Sequence, residues 1–269
     1  MEGATHMLNL LGVMELRGSH GTHLIESAAQ TTLLIPLLVN RRSFVSASVL
    51  AGELWGDSRP GRSENALQAH ISRLRKCFKR VDPTRPEGRL KSGPNGYQLL
   101  LGDDEVDGER FIRAVQDAQM FSGIRHPADT SSRMRRALAM WRGPVFGGIT
   151  GGPLCQTEAA RYQDARLRAH EILFDSELAL GRHALIIGEL SALVDGMHLP
   201  QERLCAQLMV ALYRCGRQVE ALGVYQRVRE RMAESAGCLP SMGLRRCERA
   251  ILEHDPALDT ATSGFVEIS

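Results

Sequence analysis

Between residues 63 and 80 the apolar positions recur at helical spacing. Leu67, Ile71, Leu74 and Phe78 follow one another at intervals of three or four residues, so they fall on one face of an α-helix. The opposite face carries polar and cationic side chains. The pattern predicts an amphipathic helix that packs on a core with one side. Its basic side can enter the major groove of DNA, and a surface helix with solvated charges is the alternative.

A candidate hairpin follows this helix. Residues 89–101 have the pattern of two short strands around a tight turn at Asn95 and Gly96, a pair that tolerates positive φ. A basic helix followed by a hairpin is the order of elements in a winged helix. The sequence therefore favours a wing that contacts DNA over a hairpin that only caps the fold.

The segment before the basic helix predicts a small sheet and two helices. Strand character is found at residues 8–17, 22–26 and 44–45. Residues 28–39 predict an apolar helix, in which Pro36 should cause a kink or an early stop because proline lacks a backbone donor. Ser46 is the expected N-cap of a second helix over residues 47–55.

Beyond residue 102 the strand signals disappear and helical patterns take over. The predicted helices span residues 107–121, 131–141, 156–180, 184–195, 201–215, 219–236 and 242–254. Gly181, Gly216 and Gly237 come just after three of these segments, as expected of C-terminal helix caps. The later helices are loosely similar to tetratricopeptide repeats, whose period is roughly 34 residues.

An acidic junction at residues 102–105 marks the expected domain boundary. We predict an α+β winged-helix domain over residues 1–102, an all-α tetratricopeptide-like domain over residues 103–258 and a flexible tail over residues 259–269. Residues 1–102 contain 13 Lys and Arg against 8 Asp and Glu, whereas the remainder contains 20 against 23. A basic surplus confined to one domain is expected when that domain meets phosphate.

Several classes of function find no support in the sequence. There is no apolar window long enough for a membrane span and no secretion signal, so we expect a cytoplasmic protein. The six cysteines form no CxxC pair and no cluster with zinc-ligand spacing, so we expect free thiols, no metal and no cofactor. No catalytic triad or pair of catalytic carboxylates stands out, and we do not expect an enzyme.

The outer face of the basic helix supplies the candidate DNA contacts. Arg73 is the first choice for base readout because arginine can bond guanine O6 and N7 together, with a phosphate contact as the alternative. Phosphate-positioning roles are predicted for Asn65, His70, Ser72, Arg75, Lys76 and Lys79. His70 is also a candidate for a histidine packed at the edge of the core, and Gln68 is similarly ambiguous.

Ordered motifs make the chain similar to a known family. They are LWGD at residues 54–57, NALQAHISRLRK at 65–76, GYQL at 96–99, WRGP at 141–144, EAAR at 158–161, LALGRH at 178–183, QLMVALYRCGRQ at 207–218 and ILEHDP at 251–256. With these motifs the chain resembles the Streptomyces antibiotic regulatory proteins, transcription activators that join an OmpR-like winged helix to a bacterial transcriptional activator domain. The similarity extends from about residue 8 to residue 258. The sequence contains no P-loop motif, so it resembles the short form of the family.

The resemblance implies partners and further site residues. The expected partners are double-stranded promoter DNA with direct repeats, bound by tandem protomers as a dimer, and RNA polymerase including its sigma factor. The expected targets are genes of secondary-metabolite (antibiotic) biosynthesis. The candidate polymerase contacts lie in the loop at residues 56–62 and are Asp57, Ser58, Arg59 and Arg62. Relatives often carry a wing arginine where this chain has Gly93, which leaves as wing candidates Arg89, Lys91 and Asn95.

Two alternative functions stay open at this point. The acidic second domain suits a helical adaptor or a ligand-sensing regulator that DNA binding merely anchors, and a tightly retained small molecule after purification would favour it. A repressor is the other alternative, because the sign of regulation depends on where the site lies relative to the promoter.

Overall fold

A computed structural model describes residues 7–83, 88–121, 126–197 and 199–259. As far as these residues go, the chain divides into two compact units. One unit takes its residues from Met1–Gln116 and Arg136–Leu167, and the other from Asp117–Arg135 and Arg168–Ser269. The flexible tail predicted from residue 259 onward lies outside the described residues except for Asp259.

The N-terminal sheet is antiparallel, with the strand order β1-β2-β3. Its strands are β1 (Leu8–Asn9), β2 (Glu15–Gly18) and β3 (Gly21–Leu24). The single strand predicted over residues 8–17 is wrong, because the chain reverses and Asn9 pairs with Glu15. Leu10 and Leu11 lie in this reversal with no exposed surface. Their burial outside a strand explains why the stretch has an apolar pattern without a break.

Three helices form the core of the winged helix: α1 (Ala28–Val39), α2 (Ala47–Trp55) and α3 (Ser63–Val81). The predicted cap of α2 is confirmed, since Ser46 Oγ accepts a hydrogen bond from Val49 N at 3.3 Å. The early stop of α1 at Pro36, one of the two expected effects of this proline, is wrong, because the helix continues to Val39. The carbonyl of Thr32, which loses its helical donor to proline, accepts a hydrogen bond from Cys155 Sγ at 3.5 Å. That contact compensates for the missing backbone N–H.

The wing is a second antiparallel sheet, with the order β4-β6-β5. It consists of β4 (Val45–Ser46), β5 (Leu90–Gly93) and β6 (Gly96–Leu99). The hairpin is confirmed, but the predicted turn is wrong: Gly93 pairs with Gly96, and neither Asn95 nor Gly96 has a positive φ. Glycine is needed at position 96 for another reason, since an added Cβ would lie 2.0 Å from the carbonyl oxygen of Val45 on β4.

Helices dominate the rest of the described chain. They are α4 (Asp107–Phe121), α5 (Pro127–Leu138), α6 (Pro153–Ala179), α7 (His183–Asp195), α8 (Glu202–Arg214), α9 (Gln218–Ala236) and α10 (Met242–Leu252). The seven predicted helices are confirmed, although α5 begins at Pro127 rather than at residue 131. Helix α8 packs against α7, α9 and α10, as in a stack of helical hairpins.

Positive φ values of 70°, 73° and 62° confirm the predicted capping role of Gly181, Gly216 and Gly237. The fold is therefore an α+β winged helix followed by a helical, tetratricopeptide-like region. Within the described ranges, every helix is too short or too polar to cross a membrane.

Candidate nucleic-acid interface

Helix α3 buries one face and exposes the other, as its sequence pattern predicts. Leu67, Ile71, Leu74 and Phe78 are at most 2% exposed, and they seat the helix on the core of the winged helix. The exposed candidates on α3 are Asn65, Gln68, Ser72, Arg73, Arg75, Lys76 and Lys79. Most candidate contacts on this helix therefore share one solvent-facing side.

His70 differs from its neighbours on α3 because it is only half-exposed. Partial burial, helped by the nearby charge of Arg73, lowers the pKa of the His70 imidazole. The shift favours the neutral form of the ring. Its Nδ1 atom is buried and has no hydrogen-bond partner among the described residues. This environment suits an edge histidine better than a cationic phosphate contact.

Arg75 ties α3 to the wing. Its Nε donates to the carbonyl oxygen of Leu90 at 3.0 Å, and its Nη2 donates to Ser92 Oγ at 2.7 Å. Its guanidinium also lies 5.9 Å from the centre of the Tyr97 ring. Arg75 therefore positions the wing relative to the helix, a role that the sequence pattern did not suggest.

Arg89 does not join the exposed set at the wing. Its guanidinium pairs with Asp82 at 2.9 Å and with Glu105 at 2.8 Å, and its side chain is 11% exposed. These ion pairs turn the side chain away from solvent, so we withdraw Arg89 as a candidate DNA contact. Lys91 is half-buried on β5, whereas Asn95 is exposed at the tip of the wing.

The aromatic ring of Phe44 lies against Gly93 on one side of the wing tip. A Cβ added to Gly93 would lie 2.7 Å from the Phe44 ring, which is itself 50% exposed. A side chain at position 93 would therefore displace Phe44. The glycine at position 93 thus makes room for this ring.

A groove of about 510 Å³ runs between α2, α3 and the wing tip. Ser46 and Ser48 line it from the start of α2, Gln68 lines it from α3, and Asn95 lines it from the wing. The positive dipole end at the start of α2 favours phosphate, while Ala47 N already donates to the carbonyl oxygen of Asn95 at 3.1 Å and Val49 N to Ser46 Oγ at 3.3 Å. The groove thus brings the candidate contacts Gln68 and Asn95 next to the start of α2.

The loop between α2 and α3 is exposed at each of the four candidate polymerase contacts, Asp57, Ser58, Arg59 and Arg62. Arg59 Nη2 donates to the carbonyl oxygen of Ser48 at 3.2 Å, so this side chain folds back along α2. Arg62 occupies the N-cap position of α3. The two arginines therefore lie in different settings, one beside α2 and one at the entry to α3.

A second groove, beside β3, contains residues that the sequence did not connect. His23 Nε2 lies 3.1 Å from Cys77 Sγ, and His23 Nδ1 lies 3.3 Å from Arg80 Nη1. Because arginine only donates, Nδ1 must accept and Nε2 must donate to sulfur. Burial raises the pKa of the Cys77 thiol, with Arg80 acting in the opposite direction. No sequence signal links positions 54 residues apart, so only the fold could reveal this cluster.

The helical unit has buried polar clusters of a structural kind. Glu177 accepts hydrogen bonds from Ser131 Oγ at 2.7 Å and from Arg135 Nε at 3.2 Å. Gln207, which is fully buried, donates to Asp175 Oδ1 at 2.7 Å. In the part of the chain that the structure describes, no three His, Cys, Asp or Glu residues lie together as a metal site would require.

Comparisons with known proteins agree with the order of the two regions. Residues 21–98 match the family described as "Transcriptional regulatory protein, C terminal". Residues 106–252 match the "Bacterial transcriptional activator domain".

Individual relatives cover nearly the whole chain. The transcriptional regulator RedD of Streptomyces coelicolor is 37% identical over 262 residues, which are 97% of this chain and 74% of RedD. The regulatory protein AfsR of the same organism is 36% identical over 90% of this chain, but the match covers only 24% of AfsR. A solved structure of Mycobacterium tuberculosis EmbR, in complex with a low-affinity phosphopeptide, aligns with a TM-score of 0.81 at 28% identity. That alignment covers 96% of this chain and 68% of EmbR.

Proposed function

The chain belongs to the Streptomyces antibiotic regulatory protein family of transcription regulators, and from this membership we propose that it is a sequence-specific activator. It binds direct repeats in double-stranded promoter DNA through its winged helix. Two protomers bind in tandem as a dimer. The targets are promoters of antibiotic biosynthesis genes, and the bound protein recruits RNA polymerase through the sigma factor.

The observation that carries the proposal is the two-sided character of α3. Its apolar side is sealed on the core, while Arg73, Lys76 and Lys79 project from a rigid element next to the wing. Neutralisation of phosphates by such cations releases counterions from DNA and supplies most of the non-specific affinity. Base contacts then select the sequence.

The candidate contacts divide into three proposed roles. Arg73 reads a base edge. The backbone is held by Asn65, Ser72, Lys76, Lys79, Lys91 and Asn95, and Gln68 faces the groove beside the wing. Arg75 supports this surface through its hydrogen bonds to the wing, and His70 supports it from a partly buried position. Residues 1–102 thus carry every proposed DNA contact.

The loop at residues 56–62 is the proposed polymerase contact. It is exposed and follows the C-terminal end of α2, with the side chain of Arg59 reaching back to Ser48 at the groove. Exposed loops on rigid scaffolds often carry recognition.

The proposal is tested by a mobility shift on the native promoter together with in vitro transcription by the purified holoenzyme of RNA polymerase. The expected result is a shift at nanomolar protein and an increase in promoter-specific RNA. Repression of the same template would make the protein a repressor, and the absence of a shift would refute DNA binding.

A further inference from the structure

The start of α6 contacts α2, although the two helices lie about 100 residues apart in the sequence. The side chain of Glu53 on α2 accepts hydrogen bonds from Leu154 N at 3.0 Å and from Cys155 N at 3.5 Å. Both amides lie in the first turn of α6, where backbone N–H groups have no partner within their own helix. Glu53 therefore caps α6 from another element, and its negative charge suits the helix N-terminus. The residue is only 8% exposed.

Glycines allow this contact to be unusually close. A Cβ added to Gly152 would lie 2.5 Å from Glu53 Oε2 and 2.7 Å from the Cα and carbonyl oxygen of Glu53. The last two are backbone atoms, so a rotamer change cannot relieve the clash. Gly151 has a φ of +59°, and a Cβ there would lie 3.2 Å from Thr32 Oγ1 on α1. The start of α6 thus packs directly on the backbone of α2.

The residues just before α6 are bonded to β2 and to the chain reversal between β1 and β2. Arg142 N donates to the carbonyl oxygen of Leu11 at 2.7 Å, and Phe146 N donates to that of Leu10 at 2.9 Å. The guanidinium of Arg142 also pairs with Glu15 at 2.9 Å. Residues 142–155, which we call the docking segment, therefore contact both the sheet and the helices of the winged helix.

Phe146 shows that the docking segment is held firmly. It is 1% exposed, and its ring lies edge-on to Tyr162 with centroids 6.0 Å apart. Its φ of 56° lies in the left-handed region, which is unfavourable for a residue with a bulky side chain. Such a conformation persists only where the surrounding contacts impose it.

We propose that the docking segment is a positioning element for DNA binding, although it contains none of the proposed DNA contacts. It fixes α2, which packs against α3 and lines the groove beside the wing with Ser46 and Ser48. When the segment is undocked, α2 loses the hydrogen bonds between Glu53 and the start of α6, and the groove loses its set spacing. The inference rests on the proposed binding of promoter DNA.

Thermodynamic linkage makes the proposal measurable from both directions. If docking favours DNA binding, then DNA must favour docking by the same factor. Promoter DNA should therefore slow hydrogen exchange at the amides of Leu154 and Cys155, which are the donors in the cap. A segment that only adds stability to a preformed DNA-binding surface would show no such response.

The experiment compares Gly152→Ala with Gly188→Ala in the full-length chain. Gly188 is an exposed position of α7 where an added Cβ meets nothing within 4 Å, so it controls for the substitution itself. Promoter affinity is measured by fluorescence anisotropy at a temperature where circular dichroism shows all proteins to be folded. Hydrogen exchange of residues 152–158 is followed by mass spectrometry with and without promoter DNA.

We expect Gly152→Ala to weaken promoter binding about tenfold, because overpacking of this tight contact disfavours the docked state. Gly188→Ala should bind as the wild type does, and DNA should slow exchange at residues 152–158 in the wild type. Equal affinity for a folded Gly152→Ala, or exchange that DNA does not change, would overturn the proposal. If even the wild type fails to bind the promoter, the proposed function itself is refuted.

Glu53→Gln covers the case in which Gly152→Ala does not fold. The glutamine amide keeps one acceptor oxygen for the cap and loses the charge and the second acceptor. We expect faster exchange at residues 152–158 and about threefold weaker promoter binding, the low end of the effect of a lost helix cap. Unchanged exchange and affinity in this variant would equally overturn the positioning role.

Discussion

Cys155 Sγ lies 3.5 Å from the carbonyl oxygen of Thr32, the acceptor that Pro36 leaves without a helical donor. Burial, together with the nearby charge of Glu53, raises the pKa of the Cys155 thiol to about 12, so the sulfur keeps its proton and can donate. The thiol of Cys155 thus replaces the hydrogen-bond donor that Pro36, 119 positions earlier, cannot supply.

A double-mutant cycle tests this arrangement. Cys155→Ala should lower the free energy of unfolding by about 1–2 kcal/mol, because it leaves a buried carbonyl unpaired and removes packing. In a Pro36→Ala background the restored N–H of residue 36 bonds Thr32, so the same substitution should cost about 0.5–1 kcal/mol less. Urea unfolding of the four proteins gives the coupling, and strictly additive effects would contradict the compensation.

The ionisation of the Glu15 carboxyl should make the stability of the fold depend on pH. Its burial raises the pKa of the carboxyl, but the hydrogen bond from Asn9 and the charges of Arg142 and Arg17 prevail and hold the pKa below 4.5. A depressed folded-state pKa stabilises the fold above the unfolded-state value, and this stability is lost as pH falls through the folded-state value. We expect Glu15→Gln to be less stable than the wild type at pH 7 and to show a shallower fall in melting temperature between about pH 5 and pH 3. If melting temperature falls equally with pH in the two proteins, Glu15 does not contribute to the pH dependence of stability.

Replacing Arg59 and Arg62 with alanine tests recruitment of the polymerase. Both arginines belong to the exposed loop between α2 and α3, so the change should lower RNA output at saturating protein more than it lowers promoter affinity. Arg246→Ala, at an exposed position of α10, serves as the control. A proportional fall in affinity and output would return the two arginines to the DNA-binding surface.

Arg73 and Lys76 should respond differently to substitution although they are neighbours on α3. Arg73→Ala should cost about 1–3 kcal/mol and relax specificity at one base position, as expected for a lost bidentate contact. Lys76→Ala should weaken binding to all sequences alike and lower the salt slope by about one unit. Unchanged affinity and salt slope in both variants would leave α3 as a surface helix with solvated charges.

The elements that the sequence predicted well depend on local patterns. The faces of α3 follow from the spacing of Leu67, Ile71, Leu74 and Phe78, and the start of α2 follows from the capping preference of Ser46. The wrong predictions concern positions whose local structure depends on residues far away in the sequence. Pro36 is accommodated by Cys155, which no window around the proline contains.

In the candidate site, too, local sequence could not distinguish the surroundings of Arg73 from those of Arg89. Both arginines follow the pattern expected of a DNA-contacting surface. Only the fold shows that Arg89 is held by Asp82 and Glu105 while Arg73 is exposed. Local sequence thus predicts which faces are polar, but the partners of each charge depend on tertiary packing.

We predict that α3 and the wing select a particular promoter sequence. The most direct test of this claim is a titration at physiological salt that compares the native promoter with a fragment of the same composition whose repeats are shuffled. We predict binding at least about 10³-fold tighter to the native promoter, as is typical of specific over non-specific complexes. Equal affinity for the two fragments would contradict the claim and leave only charge-driven binding.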